Sequence, residues 1–463
     1  MHNPTEPPGW VTPDNESLLV DLYELTMAQA YVAEGMLGDS VFTLYFRTMP
    51  ANRNFALACG LADVLRYLQR LHFDEQALER LRSLGMFHGH FLDWLGALRF
   101  TGEVYAVPEG TPVFPGEPIL EICAPLPQAQ LVETMVMNQV HVQTVIASKA
   151  ARLVAAAEGK PVVDFGLRRT HGADAGLKGA RAAYIAGIAA TSNVLAATTY
   201  GIPASGTMAH SYVQAHDSEL EAFRSFVRHV PEATLLVDTY DTLRGVDNVI
   251  ELARELGSEF RVRAVRIDSG DLGALAIAVR RKLDAAGLRH VGIVASGGLD
   301  ESRIAAIREQ GAPIDAFGVG SELAVSADSP LLDIVYKMAE YRGAGRLKTS
   351  PGKETLPGRK QIFRRERDGQ AVGDVIARAQ ESLDGRPLLR QVMKGGEPLP
   401  EALESLETIR ARAADELACL PERLRAQAQV QPYPVVVSEE LAEYAREVRR
   451  HVAPTEAGAG TPG

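Results

Sequence analysis

The sequence predicts an α/β protein built around a (β/α) barrel. Three observations carry that expectation. Short β-rich runs alternate with amphipathic helical stretches between residues 161 and 323, the pattern of βα units in a parallel sheet. The runs are PVVDFGLRR (161–169), PASGTMAH (203–210), TLLVDTYD (234–241), RVRAVRIDSGD (261–271), VGIVASGGL (291–299) and AFGVGSEL (316–323). They are near-continuously apolar until their ends, as strands covered on both faces should be. Each then finishes in polar or glycine residues: Arg168-Arg169, His210, Asp238 with Asp241, Arg266 with Asp268, Ser296-Gly297-Gly298, and Gly318 with Gly320-Ser321. A doubly wound sheet gathers ligand groups at one switch point, whereas a barrel presents them from several strand ends. Six such ends in succession favour the barrel.

The connecting stretches read as helices with defined ends. In RGVDNVIELARELG (244–257), Val246, Val249, Ile250 and Ala253 share a face and Gly257 can close the helix. In DLGALAIAVRRKLDAAG (271–287), Leu272, Leu275, Ala276, Val279 and Leu283 repeat the pattern, with Gly287 as the stop. Asp300 is placed to N-cap DESRIAAIREQ, and Gly311 ends it. Around this centre the chain divides into a flexible start (1–14), an N-terminal domain (15–140), the barrel (141–345), a C-terminal segment (346–450) and a disordered tail (451–463). Strand-like runs such as SVFTLYF (40–46) and GTPVFPGEPILEI (110–122) give the N-terminal domain a small sheet with tight turns. The C-terminal segment opens with a cationic stretch holding Arg346, Lys348, Lys353, Arg359, Lys360, Arg364, Arg365 and Arg367.

Composition narrows the function. A net charge of −11 gives no support to nucleic-acid or membrane-surface binding. The longest apolar run, AAYIAGIAA (182–190), falls well short of the ~20 residues of a bilayer span and reads as a buried helix. Cys59, Cys123 and Cys419 are scattered and odd in number, which fits a reducing, cytoplasmic setting and not a disulfide framework. The proline-rich N-terminus does not read as a secretory signal.

Candidate chemistry lies at the strand ends. ASGGLDE and FGVGSEL close the last two units; glycine lets backbone N–H groups approach an anion, and late barrel strands often hold a phosphate. There is no GxGxxG fingerprint or P-loop. RIDSGDL (266–272) offers Arg266 for a carboxylate or phosphate and Asp268 for ribose hydroxyls or Mg2+; a strand-end ion pair is the plainer alternative. LVDTYDT (236–242) offers two more carboxylates, Asp238 and Asp241, for which the plainer alternative is a helix cap and an ordinary turn residue. His210 and His216, six residues apart, would not share a helical face, so a paired zinc site is improbable. His210 alone at a barrel mouth is a candidate acid, base or nucleophile, and equally an ordinary histidine.

Seven motifs in order, DLYELTM (21–27), DFGLRR (164–169), TSNVLA…GIP…GTMAHS (191–211), LVDTYDT, RIDSGDL, FGVGSEL (317–323) and KETLPGRKQIFR (353–364), resemble nicotinate phosphoribosyltransferase over residues 15 to 440. The resemblance implies an irregular α/β barrel, an N-terminal α/β domain, a C-terminal segment packed on it, and a homodimer. It implies transfer of phosphoribose from 5-phosphoribosyl-1-pyrophosphate (PRPP) to nicotinate, giving nicotinate mononucleotide and pyrophosphate, with ATP hydrolysis and Mg2+, in NAD salvage. Carried over by position, His210 is the histidine that ATP phosphorylates and Asp238 the carboxylate that orients it. Phe165 and Tyr23, the latter from the partner subunit, sandwich the pyridine ring. Thr207 and Arg266 bind nicotinate, and Arg168 lies near ring and phosphates. Asp268 and Ser296-Gly297 meet the ribose, while Gly318, Gly320 and Ser321 hold the 5′-phosphate. The Lys353–Lys360 segment is placed to reach phosphates. No Mg2+ ligand is assigned with certainty.

Ser192 separates the acid from the amide substrate. In the nicotinamide enzymes the matching position is an aspartate, which would repel a carboxylate; Ser192 and Asn193 can donate to one. The quinolinate enzymes have shorter chains. A barrel lyase or aldolase would call for a Schiff-base lysine, which none of the six strand ends carries. A non-catalytic relative would be expected to have lost His210, Asp238 or Arg266.

Overall fold

The computed structural model describes residues 11–425 and 432–452. The expectations for residues 1–10 and 453–463 lie outside the described residues. At the centre is a six-stranded sheet, parallel throughout: Ala190–Thr191, Val162–Asp164, Ala316–Val319, Gly292–Ala295, Ala264–Ile267 and Thr234–Leu236, in that spatial order. Within this sheet, the strand that comes first in the chain pairs with the one that comes last, Val163 opposite Gly318. The recorded pairings leave the sheet open between its two end strands, so it is a parallel half-barrel within a mixed α/β fold.

One expected strand is replaced. Residues 203–210 do not form a strand; a single bridge joins Ala204 to Thr191, and the edge strand is Ala190–Thr191. Thr191 donates to the Pro203 carbonyl (3.0 Å) and accepts from Ser205 N (3.0 Å), after which the chain leaves the sheet. Pro203 brings no N–H to extend a ladder, and Gly206 has little strand preference. The helix within the apolar run 182–190 ends at Ile185, and Gly187, at φ +112°, turns the chain into the edge strand.

The helices that cover the sheet follow their signals. Thr242–Leu256, Leu272–Ala285 and Glu301–Glu309 are N-capped by Asp241, Asp271 and Asp300, whose carboxylates accept from Arg244 N (2.8 Å), Ala274 N (3.0 Å) and Arg303 N (2.7 Å). Each cap contributes about 1 kcal/mol. Val246, Val249, Ala276, Val279, Leu283 and Ile304 bury their faces against Leu235, Val265, Ile293 and Phe317 of the sheet.

The N-terminal sheet draws on three distant parts of the chain. Asp39–Phe46 lies between Ile334–Tyr341 and Leu120–Pro125, all antiparallel; Glu103–Ala106 and Arg390–Lys394 continue it. So Ile334–Tyr341, which falls within the stretch expected to be barrel, completes the N-terminal sheet, and the C-terminal segment adds a strand to it. Lys149, fully buried on the long helix Glu133–Ala156, joins the two regions: its ammonium lies 2.5 Å from Glu301 and 3.0 Å from Asp328.

Part of the cationic stretch is internal: Arg364 and Lys360 are buried and Arg359 partly so, while Arg346, Lys348, Lys353, Arg365 and Arg367 are exposed. Arg364 is 1% exposed and meets Asp374 at 2.7 Å and the Pro112 carbonyl at 2.8 Å. Lys360 is buried against Glu121 at 3.1 Å. Arg359 stacks on Tyr105, its guanidinium carbon 4.0 Å from the ring centroid. The end of the Lys353–Lys360 segment is therefore bound into the protein core, and of its two lysines only Lys353 is exposed.

Candidate active site

The C-terminal strand ends open into a cleft of about 600 Å³. Seven of the residues singled out from the sequence line it: Phe165, Arg168, Ser192, Thr207, His210, Arg266 and Asp268. The loop 204–210, displaced from the sheet, forms one wall. Thr207 and His210 thus reach the cleft from a loop and from the first residue of the helix His210–Gln214.

Arg266 organises the floor. It emerges near the end of Ala264–Ile267 and donates in three directions: Nε to Ser296 Oγ (2.7 Å), one terminal nitrogen to Thr207 Oγ1 (2.8 Å), the other to Asp268 Oδ1 (2.5 Å). Ser296 Oγ also donates to Asp268 Oδ1 at 2.5 Å. One guanidinium therefore ties together two strand ends and the opposite loop, using the fork geometry that a lysine lacks. It sits over the Phe165 ring, 5.3 Å from the centroid. Arg168 is exposed at the cleft and has no ion pair or hydrogen bond with the described residues, so its charge is available to an anion. The Ser192 hydroxyl has no hydrogen-bond partner among them either.

The glycines have steric reasons. A Cβ at Gly318 would lie 2.4 Å from a Phe165 ring carbon, so the ring packs directly over bare backbone. Gly297 has φ +91°, and a Cβ there would lie 1.9 Å from the Asp268 carbonyl oxygen. Gly320 precedes the single turn Ser321–Ala324. These positions, with Ser296, lie beside the cleft-lining residues rather than among them.

Asp238 and His210 are arranged differently from a simple carboxylate–imidazole pair. Asp238 Oδ2 accepts from Asp268 N (3.0 Å) and Ser269 Oγ (2.5 Å), while its buried Oδ1 has no hydrogen-bond partner. The imidazole Nδ1 of His210 instead meets Thr239 Oγ1 at 3.2 Å. His216 points away from the cleft chemistry: its Nδ1 donates to the Tyr212 carbonyl (2.8 Å), and its ring packs on Tyr212. Tyr23 is on the N-terminal helix Leu22–Ala33, 45% exposed, and does not line the cleft of its own chain. Burial and the neighbouring Glu133 raise its phenol well above the usual range.

Sequence reasoning missed Asp164, Thr191, Thr239 and Ser269. Asp164 ends its strand immediately before Phe165, and burial raises its carboxyl. Its place as the last strand residue was a readable signal; Thr191, Thr239 and Ser269 gave none beyond lying beside Ser192, Asp238 and Asp268. Among the described residues no group of three or more His, Cys, Asp or Glu is placed to hold a metal ion, and no helix is long and apolar enough to cross a membrane.

Comparison with known proteins agrees across the chain. Family models described as the nicotinate phosphoribosyltransferase N-terminal domain, family and C-terminal domain match residues 18–141, 161–362 and 382–445. The chain is 54% identical over 447 residues to the nicotinate phosphoribosyltransferase pncB2 of Mycobacterium tuberculosis, covering 96% of both chains. It is 40% identical to the Bacillus subtilis nicotinate phosphoribosyltransferase, covering 81% of this chain and 79% of that one. The crystal structure of human nicotinic acid phosphoribosyltransferase superposes with a TM-score of 0.84 at 29% identity, over 92% of this chain and 99% of the other. By sequence along nearly its whole length, and by fold, the chain belongs to the nicotinate phosphoribosyltransferase family.

Proposed function

We propose that the cleft transfers the 5-phosphoribosyl group of PRPP to nicotinate, coupled to ATP hydrolysis through a phosphorylated His210. The observation that carries this reading is the Arg266 clamp. It brings Thr207, Asp268 and Ser296 together against the face of Phe165, with Arg168 uncommitted beside them. That combination suits a flat aromatic acid next to a phosphorylated ribose.

Phe165 stacks on the pyridine ring, and Thr207, Arg266 and Ser192 meet its carboxylate. The pyridine nitrogen is itself the nucleophile, so no protein base need activate it. As it attacks C1, the bond to pyrophosphate breaks and positive charge builds on the ribose. Asp268, held by Arg266 and Ser296, faces that charge with an ordered carboxylate. Gly297 gives the ribose close approach to backbone, and Gly318, Gly320 and Ser321 offer backbone N–H groups to the 5′-phosphate.

When bound, Mg2+ would supply charge neutralisation for the pyrophosphate leaving group. Asp268 and the unpartnered Oδ1 of Asp238 are oxygen donors of the right kind. Two carboxylates fit an ion held mainly by substrate phosphates. His210 does not take part in the glycosidic step; its phosphorylation biases the protein toward a state that binds substrates more tightly.

The exposure of Leu22 and Tyr23, of Val194 at the cleft and of Leu195 beside it, supports a homodimer in which each subunit lends Tyr23 to the other. The pairing of the first parallel strand with the last, and the Thr207–Arg266 bond across the opening, support an irregular barrel. The scattered free cysteines suit a cytoplasmic location.

The test is an assay of the purified protein with nicotinate and nicotinamide side by side. Nicotinate is expected to be converted to its mononucleotide, faster with ATP and Mg2+; nicotinamide as the better substrate would overturn the specificity. His210→Ala is expected to lose labelling from γ-labelled ATP and ATP stimulation while keeping basal transfer. Unchanged labelling would move the phosphate acceptor elsewhere.

A further inference from the structure

The ring pocket has two walls that come from different strands. Phe165, Leu167 and Arg168 follow the strand Val162–Asp164, and Ser192 and Val194 follow Ala190–Thr191. Both strands are short, and the second is a two-residue edge strand. Their pairing alone gives a weak hold on the loops beyond them.

We propose that Asp164 is the positioning residue of this pocket, fixing Phe165 and Ser192 relative to one another. The inference rests on the function proposed above. Asp164 is 7% exposed. Its Oδ1 accepts from Gly166 N at 2.8 Å, holding the turn that carries Phe165. Its Oδ2 accepts from Thr191 Oγ1 at 2.8 Å, and its backbone carbonyl from Ser192 N at 2.9 Å. A single residue thus bonds to both walls. Phe165 N donates to Val319 O at 2.8 Å, setting the ring over Gly318.

The anchor extends outward from each side. Thr191 Oγ1 also accepts from Asn193 N (3.1 Å), and Asn193 Nδ2 donates to the Gly176 carbonyl (3.1 Å) on the helix Ala173–Ile185. On the other side a Cβ at Gly166 would lie 2.6 Å from Ala324 Cβ and 2.9 Å from the Gly320 carbonyl oxygen. The turn is therefore gripped between Asp164 and the glycine loop.

A neutral side chain could cap one turn without the cost of a buried, ionisable group. Burial raises the Asp164 carboxyl, opposed by its two hydrogen bonds, and no basic side chain forms an ion pair with it among the described residues. What the carboxylate adds is two acceptor atoms facing two donors, one in the turn after its own strand and one on the neighbouring strand. An amide has one acceptor. Asparagine can still serve both partners, because the Thr191 hydroxyl can turn to accept whereas the Gly166 N–H cannot. Alanine serves neither.

The experiment is steady-state kinetics of full-length wild type, Asp164→Ala, Asp164→Asn and Thr191→Val, varying nicotinate and PRPP separately, with thermal melts alongside. Asp164→Ala is expected to raise the nicotinate KM at least tenfold and to weaken the preference over nicotinamide, with the PRPP KM within about threefold. Asp164→Asn is expected to stay within about threefold of wild type on both, and Thr191→Val to raise the nicotinate KM at least threefold. A purely structural role would lower Tm and active protein, hence apparent kcat, and leave both KM values unchanged. A nicotinate KM within twofold of wild type, or equal rises in both KM values, overturns the inference. Thr191→Val decides it by the same criteria if Asp164→Ala fails to fold. Wild type that does not turn over nicotinate overturns the proposed function and this inference with it; wild type that does, beside unmoved variants, overturns the inference alone.

Discussion

Gly318→Ala tests whether the Phe165 ring is where catalysis needs it. The added methyl would lie 2.4 and 2.6 Å from two ring carbons of Phe165 and 3.2 Å from Ser296 Cβ. Carbon atoms pack at about 3.5–4.0 Å, so one partner must retreat by about 1 Å. Gly318 does not have a positive φ, so alanine brings no backbone strain, and the effect isolates the ring. Overpacking of this size costs about 1–3 kcal/mol in stability. The functional loss should be greater, because a misplacement of about 1 Å at a positioned substrate can cost ~10²-fold. The assay is kcat/KM for nicotinate alongside a thermal melt. A large fall in kcat/KM with folded protein is expected. A folded variant within threefold of wild type would show that the Phe165 ring does not set the substrate's position, and the stacking argument would fail.

Three further outcomes follow from the structure. Ser192→Asp should shift preference from nicotinate toward nicotinamide, read as the ratio of kcat/KM values, by placing a negative charge where the ring's carboxylate is to lie; an unchanged ratio would remove Ser192 from specificity. Burial, with Glu133 and Asp21 nearby, pushes Glu24 up to about 8 despite bonds from Thr134. The folded protein keeps this proton where the unfolded chain has lost it, so the stability it contributes is complete below about pH 4.5 and is lost as pH rises through 8. Glu24→Gln should therefore flatten the fall of Tm between pH 5 and 9, and parallel Tm curves would contradict the assignment. Lys149→Met leaves Glu301 and Asp328 without their buried ammonium and should cost about 3–5 kcal/mol in urea denaturation; a loss under 1 kcal/mol would mean the bridge is compensated elsewhere.

Local features were legible in the sequence. Asp300 caps the helix it was expected to cap, and Asp241 bears out the plainer reading of LVDTYDT as a helix cap, because a cap is settled within four residues. Arg266, Asp268 and Ser296 were readable as strand-end groups for the same reason. Their convergence on Thr207 was not, because it depends on how the 204–210 loop folds across the sheet. The edge strand was misplaced because a two-residue strand, Ala190–Thr191, starting on the last residue of AAYIAGIAA, looks the same as the end of a buried helix. Nothing in the cationic stretch marked Arg364 and Lys360 as buried, because their counter-charges are Asp374, across a hairpin, and Glu121, in another domain. Thr239 at His210 depends on side-chain direction, which no spacing rule supplies.

The return of Ile334–Tyr341 to Asp39–Phe46 has a consequence for biosynthesis. Phe46 leaves the ribosome about 290 residues before its partner Ile334, roughly 15–60 s of translation at about 5–20 residues per second. The strand Glu103–Ala106 waits about as long, for Arg390–Lys394. The parallel sheet, by contrast, has all its strands once Val319 is made. Vectorial synthesis therefore favours the nucleotide-handling half as the first to mature. The opening third of the chain meanwhile carries unpaired strand edges, so nascent copies are exposed to chaperone capture or to mispairing with a neighbour on the same polysome.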